Sequence, residues 1–467
     1  MADRVSGWLR LAAAAASLGL AMPASAAQQA QPAPAAAPAP AAPAPAPSAP
    51  APPVQAPSAA NRPELVAGIP VNYDEGAIPP YVLPDPLVLE DGTAVQDAPT
   101  WTARRRPEIV RLFEENQHGK APGRPAGMVF EVHEQGPALG GRALRKQVRI
   151  YFNEDRKGPV LNLLSYTPAG ATGPVPLLLN ISFTANATTV DDPDVAPGLI
   201  WSPEQRKRVP APANAPPFGR VDPVPLLEEG IGFATFYYGD LDPDDHGAMA
   251  EGVRQLYLEP GQVYRRPDEW GALGAWAWGI SRAIDYFETD PAVDAGRVAI
   301  TGMSRLGKTA LWAGAKDERV AAVIASVSGE GGAAISRRLF GETIAHYVAP
   351  SRYPYQFAAN YARYAAEPAS APMDGNLLVA LIAPRPLLLQ TGSTDFWSDP
   401  KGEFLSAIDA SRVYELLGDE GLGTDIWPEP GRKVGGTLSY YMHEGGHVPV
   451  PGDWPVFIDF LKTHLKP

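Results

Sequence analysis

Three residues in this sequence have types and positions that suit acyl transfer: Ser304, Asp395 and His447. A serine hydroxyl attacks a carbonyl effectively only when a base takes its proton. An imidazole serves as that base when a carboxylate orients it and balances its charge. Ser304 lies in Arg297-Val-Ala-Ile-Thr-Gly-Met-Ser-Arg-Leu-Gly-Lys308, which reads as a short strand, a tight turn and the start of a helix. That is the geometry of a nucleophile elbow, where the serine projects above a sheet. The helix that follows aims its free N–H groups and its positive dipole end at the oxyanion formed on attack. In the general pattern Gly-x-Ser-x-Gly, Gly302 is in register and the second glycine, Gly307, comes one residue late.

The same turn satisfies the phosphate-binding pattern G-x-x-x-x-G-K-[ST] through Gly302, Gly307, Lys308 and Thr309. A nucleotide site also needs an acidic magnesium partner at the end of another buried strand. The apolar run 320–326 ends in Ser326 and Val327, without one. Context favours the elbow.

Seven histidines are available as the base. In an elbow hydrolase the base follows the acid, on a loop before the last helix. His447 fits, standing after Gly445 and Gly446 and before a helix expected from Trp454. His464 falls inside that helix; His443 is the competitor. His443-Glu-Gly-Gly-His447 also spells the zinc-protease pattern H-E-x-x-H, which works only where both histidines share a helix face. Two adjacent glycines and the prolines at 449 and 451 disfavour helix there, so no metal is expected. Asp395 follows the apolar run 387–391 and is the first choice of acid; Asp399 and Glu330 are alternatives. Asp399 reads equally well as a helix cap.

These residues need a scaffold that brings distant chain segments to one edge. Segments 146–153 and 160–167 look like antiparallel strands. Apolar runs at 175–183, 231–238, 298–301, 320–326 and 387–391 follow at long intervals. Helical patterns cover 271–288, 308–315, 404–417 and 454–464. Buried strands alternating with helices predict an α/β fold, a mostly parallel sheet with helices on both faces. Ligand sites in such sheets lie at the carboxyl ends of the strands.

The 467-residue chain is 45% hydrophobic, enough for one large core. Its net charge of -13 argues against nucleic acid as a partner. Residues 1–26 read as an export signal: Arg4 and Arg10, an apolar run, then Ala24-Ser25-Ala26 as a cleavage site. That run is too short to span a bilayer, and no later stretch is long and apolar enough. Residues 27–60 are almost entirely Ala, Pro, Gln and Ser, the composition of a tether without a core. The catalytic domain is expected over 61–467, in a secreted or periplasmic protein. Cysteine is absent, which removes disulfides and thiol nucleophiles.

Further motifs narrow the reading. Gly302-Met-Ser-Arg-Leu-Gly-Lys308, Ser328-Gly-Glu-Gly-Gly-Ala, Arg337-Arg338 with Gly341-Glu342, Asp395-Phe-Trp397 and Gly445-Gly-His447 resemble the glucuronoyl esterases, carbohydrate esterase family fifteen. The G-x-S-R-x-G-K string accounts for the late glycine, and the likeness runs from about residue 61 to the C-terminus. The resemblance implies an α/β-hydrolase that cleaves esters of (4-O-methyl)glucuronic acid on xylan, including lignin–carbohydrate esters, without a cofactor and as a monomer. It implies Ser304 as nucleophile, His447 as base and Arg305 as an oxyanion ligand. It further implies Lys308 and Glu342 on the sugar hydroxyls and Trp397 beside the sugar. Many members carry a carboxylate just before the Ser-Gly of the strand after the nucleophile, where this chain has Val327; the acid's duty then passes to Asp395. The residue before the nucleophile, often Cys or His in the family, is Met303. An acetyl esterase using the same residues, and a hydrolase fold that only binds carbohydrate, are the alternative functions.

Overall fold

Strand-forming and helix-forming stretches alternate along the chain and assemble into one ten-stranded mixed sheet. The computed structural model describes residues 62–212, 219–259, 262, 266–448 and 450–465. The expected export signal and tether lie outside the described residues. In chain order the strands are β1 (Val129–Ala138), β2 (Ala143–Tyr151), β3 (Val160–Pro168), β4 (Val175–Ser182), β5 (Gly232–Tyr237), β6 (Val293–Met303), β7 (Ala322–Ser326), β8 (Leu387–Gly392), β9 (Lys433–Gly435) and β10 (Leu438–His443). Their order across the sheet is β9-β10-β8-β7-β6-β4-β5-β3-β2-β1. The six strands from β10 to β5 run parallel. The strands β3, β2 and β1 extend one side antiparallel, and β9 closes the other edge antiparallel.

The period-2 alternation of strand side chains divides the core into two layers. Leu177, Leu179, Val298, Ile300, Val323, Leu387 and Leu389 face one cluster, while Leu178, Ala299, Ile324 and Leu388 face the other. Helices α1 (Arg106–Asn116), α2 (Ala272–Phe287), α3 (Arg305–Lys316), α4 (Gly375–Ala380) and α5 (Pro400–Leu416) contribute side chains to the first layer. The C-terminal helix α6 (Asp453–Leu465) packs Phe457, Phe460 and Leu461 into the second. Each such side chain contributes about 1.5–3 kcal/mol of burial. This is the three-layer α/β-hydrolase architecture expected from the sequence.

Helix α2 is buried on almost every side, as a helix apolar all round must be. Its charged residues are paired: Arg282 forms an ion pair with Asp285 at 2.6 Å, and Arg319 reaches the same carboxylate at 2.8 Å. Helix α5 starts as its sequence dictates, with Pro400 in its first turn and Asp399 accepting from the Gly402 N–H at 2.9 Å.

Several elements depart from the expectation. Helix α3 begins at Arg305 rather than Lys308, because Ser304 alone makes the turn. Strands β1, β9 and β10 and helices α1 and α4 lie outside the segments expected to be regular. Strand β1 is half-exposed at the sheet edge and irregular in register between Val132 and Glu134, which blurs its alternation. In β10 (Leu-Ser-Tyr-Tyr-Met-His) every residue is buried, so polar and apolar side chains do not alternate. No helix among the described residues is long and apolar enough to cross a membrane.

Candidate active site

The parallel strands β6, β7, β8 and β10 lie side by side, and the site residues follow their carboxyl ends. Ser304 comes directly after β6 with φ 58° and ψ -125°, a left-handed conformation that costs a non-glycine residue energy. Its N–H donates to Ser326 O at 2.8 Å, which ties the turn to β7. Although Ser304 stands at the N-cap of α3, its hydroxyl makes no capping hydrogen bond. Serine at a cap normally spends its oxygen on the helix N–H groups. Here the Oγ is left for other chemistry.

Close packing explains both glycines of the motif. A Cβ on Gly302 would lie 2.3 Å from Leu306 O, and one on Gly307 would lie 2.6 Å from Ser326 O. The late glycine is thus the point where the first turn of α3 crosses β7. The phosphate-loop alternative is not realised. Residues 305–308 are already helical, and the Lys308 N–H donates to Ser304 O at 3.0 Å instead of facing a cradle.

His447 sits in the bend after β10, and its Nδ1 lies 2.7 Å from Asp395 Oδ2 and 3.0 Å from Ser398 Oγ. Asp395 is buried and the histidine is partly exposed, with side-chain exposures of 4% and 38%. With Nδ1 held by the carboxylate, Nε2 is the nitrogen available for proton transfer. Among the described residues no hydrogen bond joins Ser304 Oγ to His447; such contacts commonly tighten only when substrate binds. The other acids are engaged elsewhere. Glu330 is buried and accepts from Ser336 Oγ and Tyr361 OH, and burial pushes its pKa up to about 8. Asp399 caps α5 and accepts from Arg338 Nε at 2.8 Å.

His443 ends β10 and is buried, with Nδ1 3.0 Å from Asp453 and Nε2 3.1 Å from Gly446 O. Burial alone would lower its pKa, but the Asp453 carboxylate and the Gly446 carbonyl raise it above the usual histidine value. It braces the loop that carries His447. One histidine ends a strand and the other lies in a bend, so the shared helix face of a zinc-protease motif is not formed. Among the described residues no cluster of three or more His, Asp or Glu side chains could hold a metal ion.

The remaining expected residues form a charged, aromatic wall. Lys308 is buried one helical turn after Ser304, with Nζ 5.1 Å from the Tyr347 ring centroid. Burial lowers its pKa, and the Glu342 carboxylate opposes that. Glu342 is itself raised by burial and drawn back down by the charges of Lys308, Arg352, His447 and Arg305. Arg352 donates to Glu342 Oε1 at 2.8 Å and lies 5.2 Å from the ring centroid of Trp397. Arg305 ion-pairs with Asp244, and its guanidinium lies 4.8 Å from the Tyr353 ring centroid.

Arg352, Tyr353, Tyr347, Ser398 and Asp244 were not singled out in the sequence. Two signals could have found all but Ser398. The segment 347–364 is dense in tyrosine, as a carbohydrate cleft often is in aromatics. Asp244 lies in the Gly-Asp-Leu-Asp-Pro-Asp run just past the carboxyl end of β5.

Fold and elbow together define an α/β-hydrolase. Residues 203–418 match the family described as glucuronyl esterase, fungi. A carbohydrate esterase designated MZ0003, from an unknown prokaryotic organism, is 40% identical over 400 residues, covering 84% of this chain and 92% of its own. The solved glucuronoyl esterase from Solibacter usitatus has a TM-score of 0.80 and 41% identity, over 84% of this chain and 100% of that one. A solved family-15 carbohydrate esterase from a marine bacterial metagenome, described as promiscuous, gives 0.77 and 40% over 84% and 100%. The chain belongs to the glucuronoyl esterases of carbohydrate esterase family 15, and is a carboxylic ester hydrolase.

Proposed function

We propose that this protein is exported and hydrolyses esters between the carboxyl of (4-O-methyl)glucuronic acid on xylan and an alcohol, including lignin alcohols, with Ser304, His447 and Asp395 as its catalytic triad. The contact between His447 Nδ1 and Asp395 Oδ2 carries the reading, because it leaves Nε2 to act as the base, and both residues follow strands that end at the same edge of the sheet as the strand before Ser304.

Ser304 Oγ attacks the ester carbonyl as His447 Nε2 takes its proton, and Asp395 stabilises the imidazolium. The oxyanion is met by the N-terminus of α3 and by Arg305. Collapse breaks the bond to the alcohol, which leaves with the proton from His447. Water, deprotonated by the same nitrogen, then cleaves the uronyl–serine ester and releases the uronate. Lys308 and Glu342 hold sugar hydroxyls through charge-assisted hydrogen bonds, and Trp397 covers an apolar edge of the ring.

The second reading is an acetyl esterase using the same residues; the solved relative that is 40% identical is described as promiscuous, without a named substrate. The test compares benzyl glucuronate with acetylated xylan and nitrophenyl acetate. Preference for the uronate ester supports the proposal. Preference for the acetyl esters makes the protein a deacetylase, and no hydrolysis of any makes it a binding protein.

A further inference from the structure

Asp244 gathers donors from three parts of the chain. Its Oδ1 accepts from Tyr355 OH at 2.8 Å and from Gln356 Nε2, while its Oδ2 accepts from Tyr238 OH at 3.2 Å and from Arg305 Nη1. Gln356 is in turn fixed by Tyr347 OH, which donates to its Oε1 at 2.6 Å. Side-chain exposure is 7% for Asp244 and 26% for Arg305. The Nε and Nη2 of Arg305 make no hydrogen bond to another described residue, so two of its donor positions are free while a third is anchored.

From this geometry we infer that Asp244 is a positioning residue for the reaction: it holds the Arg305 guanidinium beside Ser304 with its free N–H groups ready for the developing oxyanion. The inference rests on the proposed role of Arg305. A long, unanchored arginine would sample many rotamers and lose entropy each time it met the transition state. A donor already in place avoids that reorganisation when charge develops. Tyr238, Tyr355 and Gln356 hold the carboxylate, so it does not follow the arginine when the arginine moves.

The charge on the carbonyl oxygen exists only in the transition state. Loss of the anchor should therefore lower kcat and leave KM nearly unchanged, whereas a general loosening of the wall would raise KM. The test is a double-mutant cycle on benzyl glucuronate with Asp244→Asn, Asp244→Ala, Arg305→Ala and the Asp244→Ala/Arg305→Ala pair, with thermal midpoints measured alongside. Asp244→Ala should lower kcat by about 10- to 100-fold with KM within about threefold of the parent. Asp244→Asn, which keeps an acceptor oxygen but no charge, should lose less. In the pair, loss of Asp244 should add nothing to the loss from Arg305→Ala. Multiplying losses, or a rise in KM at constant kcat, would overturn the inference. Parental kcat in both Asp244 variants beside an impaired Arg305→Ala would overturn it while leaving the role of Arg305 intact. Parental kcat in Arg305→Ala would remove that role, and this inference with it. Should Asp244→Ala not fold, Asp244→Asn and Arg305→Ala complete the same comparison.

Discussion

Asp395 Oδ2 and His447 Nδ1 stand 2.7 Å apart although 52 residues separate them in the chain, because β8 and β10 are neighbours and end at the same edge. Glu330, the competing acid, is bonded instead to Ser336 and Tyr361. Asp395→Ala should therefore lower kcat on a glucuronate ester by about 10³- to 10⁴-fold. Glu330→Gln should stay within about tenfold of the parent. Steady-state kinetics of the two variants decide it, and the opposite ranking would move the acid to Glu330.

Gly307 is the contact between the nucleophile helix and β7. Gly307→Ala forces a methyl to within 2.6 Å of Ser326 O and should cost about 1–3 kcal/mol, with esterase activity lost as the elbow shifts. Gly173, with nothing within 4 Å of an added Cβ, is the control. Urea denaturation of both alanine variants checks the difference.

Glu330 and Glu403 are both pushed up to about 8 by burial, from an ordinary value of 4.5. Between those values the folded chain holds protons that the unfolded chain has released, so stability is full below about pH 4.5 and falls as pH rises through about 8. The slope is up to about 1.4 kcal/mol per pH unit for each group. Glu403→Gln removes one of the two ionisations. Its thermal midpoint relative to the parent should climb steadily from pH 5 to pH 8, values set by that same window. Parallel curves for the two proteins would contradict the assignment.

Much of this site is readable in the sequence because its residues follow local rules. The elbow at Ser304 announces itself by glycines and a strand-to-helix switch within twelve residues, 297–308. Asp395 and His447 stand where a parallel sheet places functional groups, after a buried strand and before the last helix. What stayed hidden depends on pairing across the chain. Asp244 meets Arg305 and Tyr355 only after β5, α3 and the segment beyond Glu342 have packed, and the run 240–245 past β5 marks the region without choosing among its aspartates. Strand β10 escaped because burial on both faces removes the alternation that identifies a strand. Val327 carries the same lesson. Its φ of 42° is a strained conformation for a β-branched residue, and no propensity scale reveals it.

Ser304→Ala, assayed on benzyl glucuronate with its thermal midpoint recorded, decides whether Ser304 is the nucleophile. Its kcat/KM should fall at least about 10³-fold while the midpoint stays near the parent's. Turnover within about tenfold of the parent, from a folded variant, would contradict that role.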